Sequence, residues 1–259
     1  MSLLSPKPVS ICLSGARSWL RHGDLKFEVS ADHGIPHQRE EYQALLMTHL
    51  QNLLIQAKGK CKRGCQVRIA VADHVAIVAS LPWQDALMNS EELLGFAGFC
   101  LSKNGVKIDA SWQVHGEYPR FSHAGLAYAM PNEFLHEIAE SILAAELRPC
   151  KILPFSARAF FSQYFNQAKQ SSLMLIEEEF AVTAWRLQAG QITSSIEPVV
   201  ADSHTAIRRL LLRMAAAAEL PRRLQYWSPC RVRSSQDFKE FAPDVSEFQI
   251  CDDAWWVQQ

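Results

Sequence analysis

No apolar run in the 259 residues approaches the roughly 18 needed to cross a bilayer. No charge of one sign prevails either: 26 Lys+Arg stand against 27 Asp+Glu, with a pI near 6.8. That balance supplies no basic field for phosphate backbones, so nucleic acid is not an expected partner. The N-terminal stretch MSLLSPKPVSICLSG lacks the basic segment, apolar core and small-residue cleavage site of a secretory leader, which argues for a cytoplasmic protein. A disulfide pattern is missing too: the seven cysteines are odd in number and scattered through apolar segments, as reduced intracellular thiols are. GxSxG, HExxH and GxxxxGK[ST] are all absent, removing the commonest hydrolase, zinc-protease and P-loop signatures. What is present is apolar residue, 48% of the chain, enough to bury a core in one large domain or two small ones.

The periodicity of those residues repeats. Ser10 to Ser14, Ser18 to Arg21 and Leu25 to Val29 read as a three-strand meander with a tight turn at His22-Gly23-Asp24. Tyr42, Leu45, Leu46, Leu50, Leu53 and Leu54 then recur at helical spacing up to Gly59, and QVRIAVAD follows as a strand. The last third has the same order. Strands are expected at Leu173 to Ile176, Phe180 to Leu187 and Gln191 to Val199, then a helix with Ile207, Leu210, Leu211 and Met214 inward, then a strand in RRLQYWSPCRV. Two copies of one unit predict a duplicated fold with a cleft between halves.

Between the copies, VRIAVADHVAIVASLPW reads as a hairpin of two apolar strands around Ala-Asp-His. A helix capped at Asn89 or Ser90 and strands in SWQVHGEY and HAGLAYAMP come next. Asn132 is expected to cap the helix NEFLHEIAESILAAEL, with PCKILPFS and ARAFFSQYFNQ as a strand and a helix after it. QAKQSS, Gln167 to Ser172, is the most linker-like stretch, so the halves divide as 1–168 and 169–259, with an insertion at about 67–120 in the first.

In order of elements, the run from Val67 to Phe165 resembles PilM and the cytoplasmic part of GspL, actin-like proteins of type IV pilus and type II secretion machines. The resemblance rests on VRIAVADHVAIVASLPW, NSEELLGFAGFC, SWQVHG and the junction AELRPCKILPF. It implies an α/β fold of two lobes, each ribonuclease-H-like, with a subdomain inserted in the first. It also implies a scaffold that docks the cytoplasmic tail of an inner-membrane platform protein, with the chain cytoplasmic and peripheral at that membrane. A monomer and a homodimer both stay open. The nucleotide loops of such folds depart here: CLSGARS has no Asp-x-Gly, and Glu177-Glu178-Glu179 has no glycine and would repel a triphosphate. No cofactor, no metal and no catalytic residue are therefore expected, and Ser14, Gly15 and Glu177 are left as vestigial cleft candidates. The alternative is a divergent nucleotide-binding ATPase or sugar-kinase-like enzyme using Ser14, Gly15 and backbone amides.

Remaining clusters read more plainly. Cys61 and Cys65 have no second pair to complete a zinc site and are expected in a surface loop. Asp32, His33 and His37 read as a polar crossover loop. Glu177 to Glu179 lack the converging Asp of a two-metal nuclease and are expected as a solvated acidic turn or a docking patch for a basic segment. Arg208, Arg209, Arg213, Arg222 and Arg223 form a basic region, the wet face of a helix or a contact for anionic lipid. Trp83 and Trp112 are the expected partner anchors. Trp255 and Trp256 read as a final edge strand.

Overall fold

The computed structural model describes residues 8–31, 34–86, 89–103, 105–167, 171–188, 191–239, 242 and 245–253. β1 (Val9–Leu13), β2 (Arg17–His22) and β3 (Leu25–Ser30) form the expected antiparallel meander, followed by α1 (Arg39–Ala57) and β4 (Gln66–Val71). Gly23, at φ +59, supplies the left-handed residue that the β2–β3 turn requires. β5 (Ile77–Leu81), α2 (Ser90–Ser102), β6 (Trp112–Glu117) and β7 (Gly125–Pro131) come next, then α3 (Asn132–Ala144), β8 (Arg148–Pro154) and α4 (Phe155–Gln167). The second half holds β9 (Ser172–Glu177), β10 (Ala181–Gln188), β11 (Gln191–Pro198), α5 (Ser203–Ala217), β12 (Arg223–Trp227), a short α6 (Gln236–Lys239) and β13 (Glu247–Ile250).

Two sheets have one strand order, β3-β2-β1-β4-β8 and β11-β10-β9-β12-β13, so each half is a copy of one mixed unit. The third sheet, β5-β7-β6, is covered by α2 and forms the inserted subdomain. Here the structure corrects two expectations. Val67 to Trp83 is not a hairpin, because β4 pairs in parallel with β1 and β8 while β5 pairs with β7. The single turn Asp73–Val75 between them is where the chain leaves the first lobe. The sheet of the insertion accordingly spans Ile77–Pro131, with β4 outside it and β7 inside it, and not the 67–120 expected from sequence. Two equally apolar strands joined by a short turn look alike whether or not they pair with each other.

Burial follows the period of each element. On α1, Leu46, Leu50 and Leu53 are fully buried against the first sheet, each contributing about 2 kcal/mol. In the second sheet the alternation separates two cores. Leu173, Leu175, Val182, Ala184 and Leu224 face α5, while Met174, Ile176, Trp185, Leu187 and Trp227 join the core of the first lobe through Phe155 and Phe160 of α4. A sheet buried on both faces reads as the continuous apolar runs seen in SLMLI and AVTAW. The core on the α4 side is therefore shared between the lobes, while the core under α5 belongs to the second lobe alone.

Several local expectations change. Asn132 is the first helical residue of α3 and not its cap, its side-chain amide donating to the Ala110 carbonyl at 2.8 Å. Cys65 is buried; only Cys61 is partly exposed, and both are free thiols. Trp255 and Trp256, and residues 168–170 of the linker-like stretch, lie outside the described residues. No helix among the described residues is long and apolar enough to cross a membrane.

Candidate functional site between the lobes

The β1–β2 turn of the first lobe, Ser14-Gly15-Ala16, faces the β9–β10 turn of the second, Glu177 to Phe180. Ser18 and His49 fix the first turn from below. The Ser18 hydroxyl accepts from the Ser14 amide at 3.0 Å and donates to the Ser14 carbonyl at 2.9 Å, with His49 Nδ1 lying 3.0 Å from the hydroxyl. Gly15 has no room for a side chain, because a Cβ there would stand 2.6 Å from Tyr42 Cε2 and 2.7 Å from Ile35 Cγ2. Absence of that Cβ lets the Tyr42 hydroxyl reach the Gly15 amide at 2.8 Å. The turn thus presents the Ser14 hydroxyl, the Ala16 amide and Tyr42 as donors in one concavity, the backbone geometry that holds an oxyanion.

An anion is already there, and it belongs to the protein. Glu179 Oε1 accepts from Ser14 Oγ at 2.7 Å and from the Ala16 amide at 2.5 Å, while Oε2 accepts from Tyr42 Oη at 3.1 Å. Burial, and then the charges of Glu179 and Glu178, raise the Tyr42 phenol well above its ordinary pKa, so it stays a donor. Beside this contact, both oxygens of Glu178 accept from the Asp73 amide at 3.2 and 3.0 Å. Asp73 in turn accepts from the Ser156 amide at 2.9 Å and from the Ser156 hydroxyl. Burial raises Asp73 to about 6, and burial, then the charges of Asp73 and Glu179, raise Glu178 well above the ordinary carboxylate value. His37 stacks on Phe180 at 4.2 Å, with Tyr42 edge-on and His74 tilted against the same ring. Arg17 adds a bond to the Pro229 carbonyl at 3.1 Å and an ion pair to Asp253 at 3.0 Å.

Of the residues expected in the cleft, Ser14 and Gly15 are in it and Glu177 is not. Glu177 is fully buried inside the second lobe, where Arg233 reaches both its oxygens at 2.5 and 2.9 Å and Tyr226 Oη donates at 2.6 Å. Burial works to raise its carboxyl, and Arg233, Ser203 and Tyr226 overcome that, holding it below its ordinary value. A solvated acidic turn is therefore the wrong reading: Glu177 and Glu178 are buried and every member of the triplet is bonded. Tyr42, His49, Asp73 and Ser156 escape a sequence reading, because each gains meaning only through a partner 27 or more positions away.

The expected partner anchors lie on the inserted subdomain. Trp83 is half-buried, its Nε1 donating to Asp85 at 2.6 Å, and its ring meets Tyr118 and Phe121 edge-on. Phe121 is 80% exposed, so this cluster forms an apolar rim. Trp112 is half-buried beneath the Arg39 guanidinium. Among the described residues no group of His, Cys, Asp and Glu has the arrangement of a metal site.

No protein-family model matches the sequence, and no curated protein matches it. Solved structures do. The PilM–PilN type IV pilus biogenesis complex aligns with a TM-score of 0.65 at 11% identity, over 98% of this chain and 90% of the matched one. A Bacteroides thetaiotaomicron protein of actin-like ATPase fold and unknown function gives 0.60 at 14%, over 95% and 91%. The cytoplasmic domain of EpsL, an inner-membrane component of the type II secretion system of Vibrio cholerae, gives 0.56 at 12%, over 97% and 92%. At such identities the likeness is one of fold. With two sheets of one strand order, a cleft between them and a subdomain inserted in the first lobe, this chain has the two-lobed actin-like fold that its sequence implied.

Proposed function

We propose that this chain is a non-catalytic assembly factor that docks a cytoplasmic segment of an inner-membrane protein in a pilus- or secretion-type machine. One observation carries the reading. The concavity that would receive a phosphate in a nucleotide-clamping cleft holds the Glu179 carboxylate, and Glu178 and Asp73 bring further acid beside it. A triphosphate would have to displace a bonded carboxylate and then sit against its charge. The resemblance in fold to the PilM–PilN complex and to EpsL supports a cytoplasmic role at such a membrane platform. Trp83 with Tyr118 and Phe121 is the anchor on this reading, since exposed aromatic clusters dominate interfaces. Trp112 serves instead as the bed for Arg39.

Two measurements test it. Magnesium ATP leaves the melting temperature unchanged, whereas a ligand at 100 times its dissociation constant would add about 2.7 kcal/mol. The tagged chain, recovered from its native host, carries an inner-membrane pilus or secretion component, and Trp83→Ala loses it without a change in melting temperature. Stabilisation by ATP, or recovery of soluble metabolic enzymes alone, reverses the ranking in favour of a nucleotide-binding enzyme of the same fold.

A further inference from the structure

Where the inserted subdomain meets both lobes, the surface folds into a cavity of about 680 Å³, within the range of small-molecule sites. Its walls come from β5 and the end of α2, from Arg39, Asp73 and Ser156 of the first lobe, and from β10 and β11 of the second. Ile77, Val106 and Ile196 make it apolar, and Ser80, Thr183 and Ser194 add hydroxyls.

Two cations line it, and among the described residues neither is in an ion pair. Arg39 is held in place: its guanidinium carbon lies 5.1 Å from the Trp112 ring centroid and its Nε donates to the His74 carbonyl at 3.4 Å. Lys103 lies over Phe99, its Nζ 4.6 Å from the ring centroid. Asp73, the one acid on the wall, is bonded to the first turn of α4 through the amide and hydroxyl of Ser156. The positive charge of the wall is therefore left for an incoming group. An arginine pinned on an aromatic ring, with its outer nitrogens free of carboxylate, is preorganised for a planar oxyanion.

We propose that this cavity binds a small organic monoanion with an apolar body. The acid group meets Arg39 in the field of Lys103, and the body lies along Ile77, Val106 and Ile196. Such a ligand would touch all three parts of the molecule and fasten the insertion to the second lobe. The assignment goes beyond the docking reading and does not depend on it.

The probes are 1-anilinonaphthalene-8-sulfonate and its uncharged counterpart N-phenyl-1-naphthylamine, titrated into the whole chain by fluorescence. The sulfonate saturates one site and binds more tightly than the neutral probe. Arg39→Met weakens it by roughly ten-fold, the worth of one charge-assisted hydrogen bond, and Ser194→Phe, which fills the cavity, weakens both probes. Where Arg39→Met lowers the melting temperature, Lys103→Met at its exposed position carries the same expectation of direction. Equal affinity for the two probes, or a sulfonate affinity unmoved in a folded Arg39→Met or Lys103→Met protein, overturns the proposal.

Discussion

The two lobes have one strand order and opposite chemistry at the equivalent turn. Between β1 and β2 the first lobe presents donors: the Ser14 hydroxyl and the Ala16 amide, with Tyr42 beside them. Between β9 and β10 the second lobe presents acceptors, the carboxyl groups of Glu178 and Glu179. A pair of donor turns would leave a gap that only an external anion could neutralise. Here donor meets acceptor, and the cleft is closed by the chain's own charge. The two halves share a framework that depends on apolar periodicity; the turns, free of that constraint, differ and form complementary halves of one contact.

Within the acidic turn the comparison sharpens, because adjacent carboxylates do different work. Glu177 points into its own lobe and neutralises Arg233, whose side chain is 11% exposed. Replacing it by Ala leaves that guanidinium and the Tyr226 hydroxyl buried without their acceptor, so we expect Glu177→Ala to cost about 3–5 kcal/mol in urea unfolding. Glu179 reaches across to the other lobe, and its donors can be rehydrated when it is gone. Glu179→Ala should cost only about 2 kcal/mol and act on the interface: the Ala16 amide exchanges faster, while the amides of β9 and β10 keep their protection. Equal losses for the two variants, or uniform exchange changes in Glu179→Ala, would remove the distinction between a carboxylate that builds a lobe and one that joins two.

Most of the framework was legible from periodicity, because strands and helices each bury one kind of repeat. The meanders at Val9 to Ser30 and Ser172 to Pro198 fall within a residue or two of their expected ends. The fate of β5 was not legible. Its alternating Ile77, Ala79 and Leu81 fit a partner in β4 as well as one in β7, and only the closure of the insertion decides. The site was half legible. Ser14 and Gly15 stood out as a tight turn lacking an acid, yet the acid arrives from position 179, and a triplet of glutamates looks solvated until the partners that bury it are known. Contacts over 100 or more positions carry no local signal, and the Asp73–Glu178 bond, with a separation of 105, is the plainest example.

The smallest expected effect concerns that pair and is a slope, not a loss. Burial raises Asp73 from its ordinary 3.8 to about 6. The folded protein therefore favours the protonated acid, and the stability this gives is complete below pH 4 and lost as pH rises through about 6. Other groups lean the opposite way. Glu177 has its carboxyl lowered and weakens the fold as pH falls, and His74 and His115, lowered by burial, resist protonation in the folded state. The raw pH profile sums these terms, so the informative quantity is the difference between the native chain and Asp73→Asn. Asparagine is neutral at every pH and can still accept from Ser156. The native chain should lose stability relative to Asp73→Asn between about pH 4 and 6, by no more than about 1.4 kcal/mol per pH unit, the limit for one proton. Burial, then the charge of Asp73, raises Glu178 as well, so Glu178 adds a slope of the same sign in the native chain. Urea midpoints of the two proteins measured at matched pH decide the matter. A difference that stays constant from pH 4 to 7 means that Asp73 is ionised throughout, and the pair would then be held together by its backbone and serine bonds alone.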